Sequence, residues 1–206
     1  ELMLLNELTV TNYKFSDLVD VVEFSKILDS FYSATGIPNG LIAIDGEVIS
    51  QSGWISACEN FHKVSTESKK NCLKSNFKLI ENIRDGEITT SLCKNGLIDY
   101  ATPIIIKEQR IATLFLGQVL TKSPNLKSFE KQSNKFNFDK KTYLKAIKEV
   151  PIVSNDKIQS SIKCIVSIAQ MLAQNGLSKL EHFELEKNLL NSNKKVIHLS
   201  DILDFS

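Results

Sequence analysis

The sequence predicts an α+β fold, with an antiparallel sheet of five strands, helices on one side of the sheet and a long helix at the C-terminus. Short β-favouring runs fall into two groups, between residues 40 and 50 and between residues 87 and 120. Helical apolar patterns fill the segment between these groups and the C-terminal part of the chain. Two hairpin dipeptides, Asp45-Gly46 and Asn95-Gly96, follow strand-like runs and favour antiparallel pairing.

The composition is that of an ordinary globular domain, and it argues against several functions. The chain has 206 residues, of which 42% are hydrophobic and 24% are charged, enough for one domain with an extension. The formal net charge is only +1, so we expect no direct contact of this chain with nucleic acid or a membrane surface. No apolar run approaches the ~20 residues that cross a bilayer. Since the acidic start also lacks the basic residues of a signal peptide, we expect a cytoplasmic location.

The first elements are a helix and a hairpin. An amphipathic stripe predicts a helix over residues 21–35, which Gly36 ends. The runs at 40–44 and 48–50 flank Asp45-Gly46, so they predict two antiparallel strands joined by a tight turn.

Two helices are predicted between this hairpin and the remaining strands. In the first, Cys58, Phe61 and His62 share a face. The second covers residues 68–84, and its apolar stripe consists of Cys72, Leu73, Phe77 and Ile80.

Three further β-type runs lie at 87–93, 97–107 and 110–120 and predict a meander of antiparallel strands. Pro103 lies inside the second of these runs, and proline cannot donate a main-chain hydrogen bond. Its position therefore predicts a sheet edge or a bulge.

The C-terminal part is predicted to be helical. Residues 126–150 form two short helices, the second beginning after Asp139 as its N-cap. A continuous helix follows from Asp156 to about Asn191. Its apolar residues alternate at spacings of four and three, as in the seam of a coiled coil or bundle: Ile158, Ile162, Ile165, Ala169 and Leu172.

This spacing slips at Gly176 and resumes through Leu180, Phe183 and Leu190. A slip in an apolar repeat is typical of a long helix that passes from its own domain to a partner chain. The sequence therefore predicts a parallel homodimer formed through the C-terminal helix.

Motifs of the common enzyme classes are missing from the sequence. It contains no glycine-rich phosphate loop, no His-Glu-x-x-His and no Gly-x-Ser-x-Gly. Of the histidines, only His62 lies in the mixed helix and sheet region, and the surroundings of His182 and His198 do not resemble a phospho-acceptor motif. We expect a non-catalytic protein.

The most specific chemical feature is a group of three cysteines and one histidine. Cys58 and His62 lie four residues apart on one helix, Cys72 lies on the next helix, and Cys93 ends a strand. These are the ligand types of a Cys3His zinc site or an iron centre, although the tight Cys-x-x-Cys spacing of such sites is missing. Cysteine is also among the residues most often simply buried. A metal or redox role and a pocket-lining role both remain open.

Three other residues have two interpretations each. Trp54 either caps a ligand pocket or anchors the core. Asp99, in an apolar strand, either accepts a hydrogen bond from a ligand or lies on the solvent face, which the strand alternation slightly favours. Gln118, on an apolar strand face, needs a partner if it is buried, and a ligand hydroxyl or the backbone would provide one.

Several motifs resemble the ligand-binding sensory domain named after PocR. They are GWISACENFH with the following Cys72, LCKNGLIDYATPIII and IATLFLGQVL, and the resemblance extends over about residues 22–172. It implies a PAS-like fold that encloses a pocket for a small hydrocarbon derivative such as a diol. It also implies an output module, such as a histidine kinase, a DNA-binding domain or a cyclase. Where the family has a glycine-bearing turn before its last strand, this chain has Lys107-Glu108-Gln109.

The residues and the resemblance together predict a ligand-binding site made of Trp54, Cys58, Phe61, His62, Cys72, Cys93, Asp99 and Gln118. This reading requires no cofactor. The alternative is a metal or redox sensor that holds zinc or iron through Cys58, Cys72 and Cys93, with or without His62.

We expect four parts along the chain. A sensory domain at 20–152 follows an N-terminal extension at 1–19, and a signalling and dimerisation helix covers 153–191. Residues 192–206 are expected to link this helix to an output module outside this chain.

Overall fold

The computed structural model describes residues 13–84 and 86–204, with side chains as far as residue 194. Five strands form one antiparallel sheet in the order β2-β1-β5-β4-β3. The strands are β1 Asn39–Ile42, β2 Val48–Ser52, β3 Thr89–Leu92, β4 Ile98–Ile106 and β5 Gln109–Val119. The predicted α+β class and the five-stranded antiparallel sheet are confirmed.

Six α-helices and one π-helix are described in residues 13–84 and 86–204. The α-helices are α1 Phe15–Leu18, α2 Val21–Thr35, α3 Thr66–Glu81, α4 Leu126–Phe136, α5 Lys140–Lys148 and α6 Asn155–Asp204, and the π-helix covers Ala57–His62. The predicted bounds of α2 and the N-cap Asp139 of α5 are confirmed. Over the described ranges, no helix combines the length and apolarity that would let it span a membrane.

The expectation that helices gather on one side of the sheet needs correction, because they cover both faces. On one face, α1, α2 and α6 pack over Leu41, Tyr100 and Leu114. On the other, Leu79 of α3 packs with Ala101 and Phe115. Neighbouring strand residues such as Tyr100 and Ala101 point to opposite faces, and both are buried here. A sheet that is apolar on both faces needs cover on both.

Pro103 lies where the sheet has an edge, as predicted. It pairs with Thr113 of β5, but β3 ends where Thr89 pairs with Ala101. Beyond that point β4 has no neighbour on the β3 side among the described residues, so the missing N–H of proline disrupts little.

The turn between β4 and β5 is formed without glycine. Lys107 and Glu108 both lie in the left-handed region, with φ of 47° and 63°. A two-residue type I′ turn requires positive φ at both positions. The chain therefore makes this tight turn at the conformational cost of two non-glycine residues in that region.

Helix α6 has a buried part and an exposed part. Ile158, Ile162, Ile165, Ala169, Ala173 and Leu177 are buried in the core beside the sheet. Beyond Leu180 the large apolar residues up to residue 194 are exposed, namely Phe183, Leu185, Leu189 and Leu190. The helix continues to Asp204, past its predicted end near Asn191.

Candidate functional site

A cavity of about 340 Å³ lies between the second face of the sheet and the π-helix with α3. Its sheet wall includes Ala101, Thr113 and Phe115, and its helical wall includes Cys58 and Cys72. This volume is within the range of about 300–1,000 Å³ that small-molecule sites occupy.

Seven of the eight predicted site residues line this cavity: Trp54, Cys58, His62, Cys72, Cys93, Asp99 and Gln118. The eighth, Phe61, lies behind the wall. Its ring packs against Phe138 and Tyr143, with centroid distances of 5.5 Å and 5.2 Å. The structure therefore brings together residues from four separate stretches of sequence, and it places Phe61 in a supporting aromatic cluster.

The π-helix aims two of these residues inward. The main-chain N–H of Lys63 donates to the carbonyl of Cys58 at 2.9 Å, the five-residue step of a π-helix. Cys58 Sγ and His62 Nδ1 are 4.0 Å apart, and His62 Nε2 is 2.8 Å from the Tyr143 hydroxyl. Burial lowers the pKa of His62 to about 4 and raises the pKa of the Cys58 thiol. The imidazole and this thiol are therefore neutral at pH 7.

The other two thiols accept hydrogen bonds at the start of β4 and on α3. Asn95 Nδ2 donates to Cys72 Sγ at 3.1 Å, and the Leu97 N–H donates to Cys93 Sγ at 3.3 Å. Burial raises the pKa of Cys93 to about 12 and also raises that of Cys72. Cys164, by contrast, is exposed on α6.

This arrangement does not fit the alternative of a zinc or iron site. Among residues 13–84 and 86–204, no three His, Cys, Asp or Glu side chains are grouped so that they could hold one ion. The described side chains therefore do not form such a metal site. Cys58, Cys72, Cys93 and His62 line the cavity instead, and the redox alternative stays a prediction.

Asp99 is only 6% exposed, so the slight preference for the solvent face was wrong. The face that carries it is the cavity wall, which the helices cover. A bulge creates its setting: Ile98 pairs with Val119 and Tyr100 with Leu116, which leaves Gly117 and Gln118 opposite Asp99. The Gln118 N–H donates to Asp99 Oδ1 at 2.8 Å. Burial raises the pKa of Asp99 to about 6.

Gln118 has an unusual backbone conformation and ties the sheet to the π-helix. Its φ is +59°, a left-handed value that costs energy in a residue other than glycine. Its side-chain Oε1 accepts the Ile55 N–H at 2.8 Å, so the backbone provides the partner that the sequence required. Beside it, a Cβ on Gly117 would collide with the Asp99 carboxylate. Glycine therefore allows Asp99 to approach the bulge.

Trp54 is half-buried and forms part of the cavity wall beside Lys63. Its Nε1 donates to the carbonyl of Asn39 at 3.0 Å. The Lys63 ammonium lies 3.8 Å from the ring centroid and also pairs with Glu59. This position agrees with the interpretation of Trp54 as part of a ligand pocket rather than as an anchor of the core.

Sequence reasoning missed the α3 side of the cavity. The sequence predicts only an apolar stripe for Leu73, Phe77 and Ile80, whereas in the structure they line the cavity, and Phe77 is 65% exposed. In sequence an apolar stripe that faces a cavity looks the same as one that faces a packed core. Only the polar residues on the facing strands, Asp99 and Gln118, indicated a different environment.

The cavity wall is connected to the beginning of α6. Two residues beyond Gln118, the Leu120 N–H donates to the Pro151 carbonyl at 3.0 Å, and the Val153 N–H donates to the Leu120 carbonyl at 2.8 Å. The Tyr100 hydroxyl donates to Asn155 Oδ1 at 3.1 Å, at the first residue of α6. The bulge in β5 is therefore only two residues from Leu120, which is hydrogen-bonded to the segment that leads into α6.

Comparison with known proteins gives one family and several distant structures. The family described as "Sensory domain found in PocR" matches residues 17–177. The chain is similar to a GAF domain/HD domain protein from Geobacter sulfurreducens, at 13% identity, with 80% of this chain and 99% of that chain covered and a TM-score of 0.35. It is also similar to a LOV protein from Rhodobacter sphaeroides, at 11% identity, with 74% and 96% covered and a TM-score of 0.30. No curated protein matches the chain significantly.

Proposed function

The chain belongs to the PocR family of sensory domains, which matches it over residues 17–177, and from this premise we propose that the cavity binds a small organic molecule such as a diol or another hydrocarbon derivative. The observation that carries the proposal is the convergence of seven predicted site residues on one cavity of about 340 Å³. Apolar walls with a few buried polar groups are typical of such sites.

Binding, rather than catalysis, suits the chemistry of this cavity. The thiols of Cys58 and Cys93 are shifted towards their neutral form, as is the imidazole of His62. A nucleophile or a general base needs a pKa near the working pH or an activating partner. Neutral, buried groups of this kind shape a pocket and donate or accept hydrogen bonds.

The proposed response is a shift between two packings of the core. A ligand that binds one packing better tilts the equilibrium towards it. We propose that the change reaches α6 through the bulge at Gln118 and the hydrogen bonds of Leu120 with Pro151 and Val153, which precede the first residue of α6, Asn155. In this proposal, residues 20–152 bind the ligand and residues 153–191 transmit the change in packing.

We propose that the C-terminal helix α6 dimerises with the same helix of a second copy of the chain. Phe183, Leu185, Leu189 and Leu190 are each more than half exposed. Phe183 and Leu190 lie seven residues apart on one face of the helix, and a parallel, two-fold arrangement covers that face and directs both helices towards the same end. Residues 192–206 would then lead to an output module outside this chain.

Native mass spectrometry of the freshly purified full chain tests ligand binding and dimerisation together. We expect a small-molecule adduct, or stabilisation by a series of short diols and alcohols, and Ala101→Leu should abolish either signal by filling the cavity. Ala34→Leu is the matched control, since Ala34 is exposed on α2. Absence of any adduct and of any stabilisation, or a response unchanged by Ala101→Leu, would contradict the cavity as the ligand site.

A further inference from the structure

The interior of the cavity contains one carboxylate, Asp99, that no basic side chain of the described residues neutralises. Asp99 is 94% buried, and its Oδ1 accepts only the Gln118 N–H. In the described parts of the chain, its second oxygen has no hydrogen bond and no cation pairs with it. A buried carboxylate with one neutral donor is costly. Because Asp99 lines the cavity, its second oxygen is open to a proton, to water or to a positive partner from outside the chain.

The described residues of the protein do not supply that partner. Among the described residues, Lys63 is the one basic side chain in the cavity wall besides the neutral imidazole of His62. Its ammonium pairs with Glu59 and lies over the Trp54 ring, so it is already engaged. Within the described residues, the charge of Asp99 has no positive partner.

We propose that the ligand carries a protonated amino group that pairs with Asp99, and an apolar body that lies against Phe115 and the α3 residues Leu73 and Phe77. This inference rests on the proposed function, because it takes the cavity as the ligand site. An ammonium provides both a hydrogen-bond donor and the compensating charge. A hydroxyl provides only the donor, so an alcohol or a diol would bind the carboxyl in its protonated form.

The surroundings keep this charge isolated within the cavity. The described wall contains six other titratable or charged groups. Asp45 comes from the β1–β2 hairpin, Cys58, His62 and Lys63 from the π-helix and its C-cap, Cys72 from α3, and Cys93 from the β3–β4 turn. Asp45 is exposed at the rim. The three thiols and the imidazole favour their neutral forms, which leaves Asp99 as the interior site that selects for a cation.

Matched amines and alcohols test the proposal on the full chain. The pairs are 2-phenylethylamine with 2-phenylethanol and hexylamine with hexanol, with affinities measured by titration calorimetry at pH 7.5. We expect at least one amine to bind about tenfold or more tightly than its alcohol, the size of effect that a desolvated charge pair provides. Asp99→Asn should abolish this preference and leave the affinity for the alcohol within about threefold.

The variant is suited to this test because asparagine keeps an oxygen that accepts the Gln118 N–H. Its melting temperature, measured without ligand, shows that it folds. The control Glu81→Gln removes an exposed carboxylate of α3 that does not line the cavity, and it should leave the preference for the amine unchanged.

The pH dependence gives a second readout. The affinity of the wild-type chain for the amine should fall about tenfold between pH 7 and pH 5, as Asp99 takes up a proton and can no longer pair with a cation. The affinity for the alcohol should not fall over this range. Binding of alcohols alone, or an equal preference in Asp99→Asn, overturns the amine proposal and leaves the cavity as a ligand site. Binding of neither series overturns the amine proposal, and Ala101→Leu then decides separately on the cavity.

Discussion

Gly176 of α6 lies directly against the main chain of Leu18 in α1. A Cβ at position 176 would be 3.0 Å from the Leu18 Cα and closer still to its carbonyl group. Leu18 and the neighbouring Leu177 are both buried there. The interruption of the apolar repeat at Gly176 therefore marks the place where α1 crosses α6 within one chain. The sequence pattern predicts a transition towards a partner chain at this point, whereas α6 stays packed in its own domain as far as Leu177, and its large apolar residues become exposed only beyond Leu180.

Gly176→Ala should destabilise the protein. In an unobstructed helix, alanine would be more favourable than glycine by about 1 kcal/mol. Here the added methyl group overlaps backbone that cannot move without undocking α1, and overpacking of this kind typically costs about 1–3 kcal/mol. We expect a net loss in the free energy of unfolding, measured by urea denaturation. Asn175→Ala, at an exposed neighbour, is the control and should be neutral or slightly stabilising. A more stable Gly176→Ala variant would show that α1 does not dock in this way.

Asp99→Asn should stabilise the ligand-free protein above pH 6. Burial raises the pKa of Asp99 from 3.8 to about 6 in the folded state. The stability contributed by this group is therefore complete below about pH 4 and is lost as the pH rises through 6. At about 1.4 kcal/mol per pH unit, the wild-type chain loses up to about 3 kcal/mol relative to Asp99→Asn. The difference between the two free energies of unfolding should vanish at pH 4.

The pH dependence of the wild-type chain alone would not isolate Asp99, because the titration of His62 changes the free energy of unfolding in the opposite direction. Its pKa falls from 6.5 to about 4 on folding, so its contribution to stability is present above pH 6.5 and is lost as the pH falls towards 4. Both proteins contain His62, and its effect cancels in their difference. A constant difference between them from pH 4 to pH 8 would contradict the assignment of Asp99 as a buried carboxyl group.

The sheet was predictable because its signals are local. Asp45-Gly46 and Asn95-Gly96 specify turns by themselves, and Asp139 caps its helix with its own side chain. The residues of the site could be predicted from the sequence, but their arrangement in space could not. Whether Asp99 faces solvent depends on the cover provided by α3 and the π-helix, which are distant in sequence. The position of Phe61 behind the wall likewise depends on its contact with Phe138.

Alkylation should distinguish the four cysteines. Cys164 is exposed, Cys72 is half-buried, and the Cys58 and Cys93 thiols are held in their neutral form by burial. Since the thiolate is the reactive species, iodoacetamide should modify Cys164 first, Cys72 next, and the other two only on unfolding. Mass spectrometry of peptides after timed quenching gives the order, and Cys164→Ser provides the control for the fast phase. Rapid modification of Cys58 in the folded protein would contradict the described packing.

Ligand binding should change the fluorescence of Trp54, the one tryptophan of the chain. The indole lines the cavity, and the Lys63 ammonium lies 3.8 Å from its ring centroid. An occupant of the cavity changes the polarity around the ring or displaces this cation. A ligand at a hundredfold excess over its Kd should also raise the free energy of unfolding by about 2.7 kcal/mol. A compound that gives this stabilisation without any change in emission would bind elsewhere.

The exposed part of α6 yields the prediction about assembly. A cut near Asn175 would remove Leu177, which is fully buried in the core, so it would damage the domain as well as any dimer. The sharper change is the double substitution Phe183→Ser and Leu190→Ser, at positions that are 64% and 56% exposed. An isolated helical segment gains little stability until its apolar face is packed, and removal of these side chains leaves a second copy little to cover. We expect sedimentation equilibrium to show a dimer that is weakened at least about tenfold, a loss of about 1.4 kcal/mol, with the response of Trp54 to ligand unchanged.

Glu184→Gln with Asn191→Ser, on exposed polar positions of the same segment, should leave the dimer intact. A wild-type chain that is monomeric at tens of micromolar, or a double variant that dimerises as well as the wild type, would assign α6 a role in transmission alone.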